Sequence, residues 1–130
     1  MSAPGTGTWR IPLFPAGTTA TGSSQHYDLS HYGPLTVYVT AVGTISTGTL
    51  LIEEADWNPE SETDFGGTWS TMQTIDLTAL TGASAPGNQT AYHIPTSAPG
   101  SYAWAFVRAR ISVAVTGTGG SVKVVMRARP

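Results

Sequence analysis

The chain is 130 residues long, with 11% charged residues, a formal net charge of −2 and no cysteine. A single domain of this size buries roughly two-thirds of its unfolded surface, enough for a core without staples. The composition excludes disulfides and thiolate chemistry. It also argues against a general nucleic-acid binder, which is normally basic, and no apolar stretch approaches the roughly 20 residues of a membrane helix.

Fifteen glycines and nine prolines are spread along the whole chain. Apolar residues alternate instead of recurring at helical spacing, the signature of strands cut by turns. Residues 1–24 stand apart. The first eight are rich in Gly, Pro and Thr, with no basic residue and no apolar leader, and residues 16–24 are a low-complexity polar stretch. Between them, Trp9-Arg-Ile-Pro-Leu-Phe-Pro15 carries two prolines, which remove backbone donors and restrict it to an edge strand or an extended arm. Two readings stand for Trp9, Ile11, Leu13 and Phe14: docking on their own domain, or anchoring to a partner. The expected division is an arm and linker over 1–24 and a β-sandwich domain over 25–130.

Strands are expected near residues 9–14, 25–29, 35–42, 49–55, 69–77, 91–94, 102–115 and 122–129. About eight antiparallel strands with such turns predict an all-β, two-sheet, jelly-roll-like sandwich. The last two read as a hairpin around Thr116-Gly-Thr-Gly-Gly120. Their inward rows are Ala103, Ala105, Val107, Ala109, Ile111, Val113 and Val115, then Val122, Val124, Met126 and Ala128. The outward rows would then gather Trp104, Phe106, Arg108 and Arg110 beside Arg127 and Arg129. Five of the six basic residues lie on these two strands, and seven of the eight acids lie between Glu53 and Asp76. Like charges facing across strands need neutralising. Either the acidic segment of the same chain does so, or the patch is an oligomer or partner contact, where Arg and large aromatics are enriched.

Asp56, Asn58, Glu60, Glu62 and Asp64 place oxygens at alternate positions, as a calcium loop does. However, Ser61 and Gly67 stand where that loop needs Gly and a bidentate Glu, so a solvated acidic loop is expected and no metal. His26, His31 and His93 fit no zinc signature, and no nucleophile elbow, Walker loop or dinucleotide fingerprint occurs. No cofactor and no catalytic residue are expected. Trp57, Trp69, Tyr92, Tyr102 and Trp104 raise the alternative of sugar stacking on a sandwich face.

Gly48-Thr-Leu-Leu-Ile-Glu-Glu-Ala-Asp56, Gly67-Thr-Trp-Ser-Thr-Met-Gln-Thr-Ile-Asp76 and residues 102–115 together resemble small all-β virion proteins of tailed bacteriophages, above all the head decoration (cement) proteins. The resemblance spans about residues 35–129. It implies a non-enzymatic, often trimeric protein that binds and reinforces the outside of an icosahedral head. The major capsid protein would be its partner, with no nucleic acid or membrane involved and assembly in the host cytoplasm. The contact residues expected from the N-terminal segment and the outward rows are Trp9, Ile11, Leu13, Phe14, Trp104, Phe106, Arg108, Arg110, Arg127 and Arg129. The alternative is a carbohydrate-binding sandwich, receptor-binding or tail-associated; a small enzyme or metal-dependent module ranks third. A stable trimer in solution points to the shell protein, and a monomer retarded on a glycan column to the sugar binder.

Overall fold

The computed structural model describes residues 8–29, 32–56, 68–80, 89–94 and 105–129. In chain order its strands are β1 (Trp9–Thr18), β2 (Gly22–Ser23), β3 (Tyr27–Asp28), β4 (Leu35–Val42), β5 (Thr47–Asp56), β6 (Ser70–Asp76), β7 (Thr90–Ile94), β8 (Ala105–Thr116) and β9 (Ser121–Ala128), with a 3-10 turn at Leu77–Leu80 after β6. One antiparallel sheet runs β1-β9-β4-β7 and the other β2-β8-β5-β6, with β3 also paired to β8. We call them the β9 sheet and the β8 sheet.

β2 and β3 are two pieces of one interrupted strand. Gly22 and Ser23 pair with Ile111 and Arg110, and Tyr27 and Asp28 pair with Val107 and Phe106. Ser24 spans the break: its amide donates to the Ala109 carbonyl at 2.8 Å, and its Oγ accepts from the Ala109 amide at 2.9 Å. With that pair counted as one, the chain crosses between sheets at every connection except β5 to β6. This is the jelly-roll arrangement, and the fold is the two-layer all-β sandwich that the strand pattern predicts.

The core lies between the sheets. From the β9 sheet come Ile11, Leu35, Val37, Val39, Val122, Val124 and Met126; from the β8 sheet come Leu50, Ile52, Ile75, Val107, Ala109 and Ile111. Each is an apolar side chain at alternate positions, which is what a strand with one buried face requires.

Three expectations are corrected. First, residues 9–23 are no separate arm. β1 is the edge of the β9 sheet, where Pro12 and Pro15 are tolerated, and Ile11, Leu13 and Phe14 are buried in the core. A register shift between Pro12 and Phe14 turns both Leu13 and Phe14 inward. Second, β8 and β9 do not form a hairpin: β8 pairs with β5 and β9 with β1 and β4, in opposite sheets. Residues 117–120 are a crossing, packed beside the β4–β5 crossing through Thr44 N to Thr118 O at 3.1 Å and Ser46 N to Thr116 O at 2.8 Å. Gly117 sits there at φ +127°, against the Thr44 carbonyl, where a Cβ has no room.

Third, Val113 is 46% exposed instead of inward. Leu50 pairs with Ile111 but Thr49 pairs with Val113, so β8 carries one extra residue there. The bulge turns Val113 outward, and a second register shift between Thr49 and Thr47 returns Val115 inward. The rest of the expected inward row that the structure describes (Val107, Ala109, Ile111, Val115, Val122, Val124, Met126 and Ala128) is buried. Ala103 and the Ala105 side chain lie outside the described residues.

Candidate functional sites on the two outer faces

Because β8 and β9 lie in opposite sheets, their outward side chains point away from each other. Arg108 and Arg110 are on one outer face of the sandwich and Arg127 on the other, with Arg129 just beyond the end of β9. The expected four-arginine patch is therefore two separate surfaces.

On the β8 face, Glu53 stands between the two arginines. Cross-strand register brings it there, with Glu53 opposite Arg108 and Leu51 opposite Arg110. Its carboxylate accepts from Arg108 Nε at 3.0 Å, Arg110 Nε at 3.1 Å and Arg110 Nη2 at 3.1 Å. Glu53 is only 3% exposed. Burial works to raise its pKa, but the hydrogen bonds from Arg110 and Arg108, and then their charges, outweigh burial and hold the carboxyl below the ordinary glutamate value. The same hydrogen bonds and charge raise the pKa of Arg110.

The Arg108 guanidinium lies 4.1 Å from the centroid of the Trp69 ring, within cation–π range. His26 packs edge-on to Phe106 at 5.5 Å and tilted to Trp69 at 6.1 Å. Phe106, Arg108, Arg110, Trp69, His26 and Glu53 thus form one interlocked layer in which two arginines share the single carboxylate of Glu53. Sequence reasoning left the source of neutralisation open; the structure assigns it for these two arginines to Glu53 of the same chain.

The β9 face is different. Arg10 on β1 pairs in register with Arg127 on β9, and Lys123 on β9 sits opposite Thr40 on β4. With Tyr38, Thr40, Gln89 and Val125, these cations line a groove of about 200 Å³. Val125 faces outward opposite Tyr38 yet is 7% exposed, so it forms the apolar floor. The Arg127 guanidinium lies 5.8 Å from the Tyr38 ring centroid. Among the described residues every carboxylate belongs to β3, β5 or the end of β6, all in the β8 sheet. No described carboxylate therefore stands in this groove. Sequence reasoning missed it, because Arg10 was read within the arm, and Tyr38 and Thr40 carried no motif.

The remaining candidate residues are placed as follows. Trp9 is half-buried, edge-on to Tyr27 at 5.7 Å and tilted to Tyr32 at 5.7 Å, so with Ile11, Leu13 and Phe14 it is used inside its own domain. Among the sugar-stacking aromatics, Trp69 is covered by Arg108 and Tyr92 packs against the core. Burial and the nearby Asp76 charge push the Tyr92 phenol pKa up. His93 Nδ1 lies 3.1 Å from Thr36 Oγ1. Trp57, Tyr102, Trp104, His31 and the 57–67 part of the calcium-like loop lie outside the described residues. Among the described residues no group of three His, Asp or Glu is placed to hold a metal ion, and no helix is long and apolar enough to cross a membrane.

No protein-family model matches the chain, and no curated protein matches it by sequence. Among solved structures, the fold is similar to that of the SPBc2 prophage-derived protein YomS, with a TM-score of 0.53 and 14% identity, covering 95% of this chain and 93% of that one. A chain of the Kashmir bee virus empty particle at acidic pH aligns with a TM-score of 0.36 and 13% identity, over 92% of this chain and 85% of that one.

Proposed function

We propose that the chain is a non-enzymatic structural protein of a bacteriophage particle, and specifically one that decorates the outside of the head as a trimer and reinforces it. The observation carrying this reading is the jelly-roll sandwich itself, shared end to end with a prophage-derived protein. Jelly rolls serve widely as virion building blocks. Fold alone does not fix function, and the resemblance of residues 35–129 to head decoration proteins supplies the finer assignment. Two different outer faces, one with its arginines tied to Glu53 and one lined by Arg10, Lys123 and Arg127, give such a protein one side for its neighbours and another for the shell. With Arg108 and Arg110 both tied to Glu53, the basic β9 face is the side turned to the major capsid protein.

The test is reconstitution. Heads assembled without this protein are mixed with the purified chain and sedimented, and the pellet is assayed for bound protein and for resistance of the heads to heat. Saturable binding with a gain in heat resistance supports the proposal. Failure to co-sediment, with the protein folded by circular dichroism, overturns it.

A further inference from the structure

We propose that the groove on the β9 face is an oxyanion-binding site, with Arg10, Lys123 and Arg127 as its ligating side chains. The chain supplies its own standard of comparison. On the β8 face two outward arginines are brought together and a buried carboxylate, Glu53, sits between them at 3.0–3.1 Å. On the β9 face the cross-strand register again brings two arginines together, Arg10 against Arg127, with Lys123 nearby on the same face of β9. Like charges directly opposite one another are unfavourable unless neutralised, and no described carboxylate fills the place that Glu53 holds on the other face.

The groove's shape fits the same reading. At about 200 Å³ it is smaller than the ~300–1,000 Å³ of sites that enclose a drug-sized ligand. It therefore has room for one small anionic group. The Val125 floor and the Tyr38 ring lower the local dielectric, which strengthens the attraction of a guanidinium for an oxyanion. Thr40 adds a hydroxyl for a further oxygen. Arginine forks match both carboxylate and phosphate geometry, so the group bound is a phosphate or a carboxylate. This inference rests on the groove alone and stands whether or not the protein decorates a head.

Nuclear magnetic resonance titrations of the full chain, at low salt, test it with inorganic phosphate, glucuronate and neutral glucose. Phosphate or glucuronate is expected to shift the backbone amides of residues 123–127 saturably, and glucose to leave them in place. The tighter of the two anions identifies the source. Arg127→Gln is expected to weaken anion binding about tenfold, whereas Arg129→Gln removes an equal charge outside the groove and is expected to change it less than about twofold. Absence of saturable shifts, equal binding of glucose, or equal loss in the Arg129 variant would each overturn the proposal, the last by showing diffuse charge in place of a site.

Discussion

At Glu53, three charge-assisted hydrogen bonds converge on a carboxylate that is almost fully covered. Removing its charge leaves Arg108 and Arg110 facing each other, so Glu53→Gln is expected to lower the unfolding free energy by about 1.5–3 kcal/mol. The lower half of that range is favoured because the Arg110 side chain is 37% exposed and solvent screens its charge. The sign of the pH dependence follows from the direction of the shift. A carboxyl held below its ordinary value contributes stability that is complete above the unfolded pKa of about 4.3 and is lost as pH falls through the lower folded value. Urea melts of wild type and Glu53→Gln should therefore converge as pH drops below about 4, and a constant gap across that window would contradict the account. Sequence alone marked Arg108 and Arg110 as a problem of charge and Glu53 as one acid in a run of them. Which acid meets which arginine depends on the β5–β8 register, a long-range fact that no local pattern encodes.

Among the elements, the register shifts in β1 and β8 decide what alternation can predict. Ile111 lies before the β8 bulge and Val113 after it. Ile111→Ala is expected to cost about 2–5 kcal/mol, whereas Val113→Ala should stay within about 1 kcal/mol; equal losses in denaturant midpoints would reject the reversal. Gly117 permits the β8–β9 crossing to lie against Thr44, so Gly117→Ala, strained in φ and colliding with that carbonyl, is expected to lower the melting temperature more than Gly119→Ala, which meets nothing. β1 contributes Ile11, Leu13 and Phe14 to the core, so deleting residues 1–24 is expected to abolish cooperative unfolding, measured by near-ultraviolet circular dichroism on heating. The strand at 35–42 was legible to the residue because its apolar alternation is bounded by Pro34 and Gly43. The partner of each strand was not. A short Gly-rich link between two amphipathic strands reads the same whether it turns a hairpin or crosses a sandwich, since both arrangements bury one face of each strand.

For the whole molecule, that crossing is what separates the charges. In a hairpin, Arg108 and Arg110 would share a face with Arg127; in the jelly roll they lie on opposite sides of a core about 10 Å thick. On the β8 face Arg108 and Arg110 consequently share Glu53, and the β9 face presents Arg10, Lys123 and Arg127 without a described carboxylate. A contact made through the β9 face should weaken as salt rises, because its cations border open solvent. The layered fold was legible in the sequence, whereas the direction in which each basic residue points required the sheet order. The proposed role is that of a component of a phage particle. Quantitative mass spectrometry of gradient-purified particles tests it most directly. This chain is expected in fixed stoichiometry with the major shell protein; its absence from particles, with the chain present in the surrounding lysate, would overturn the proposal.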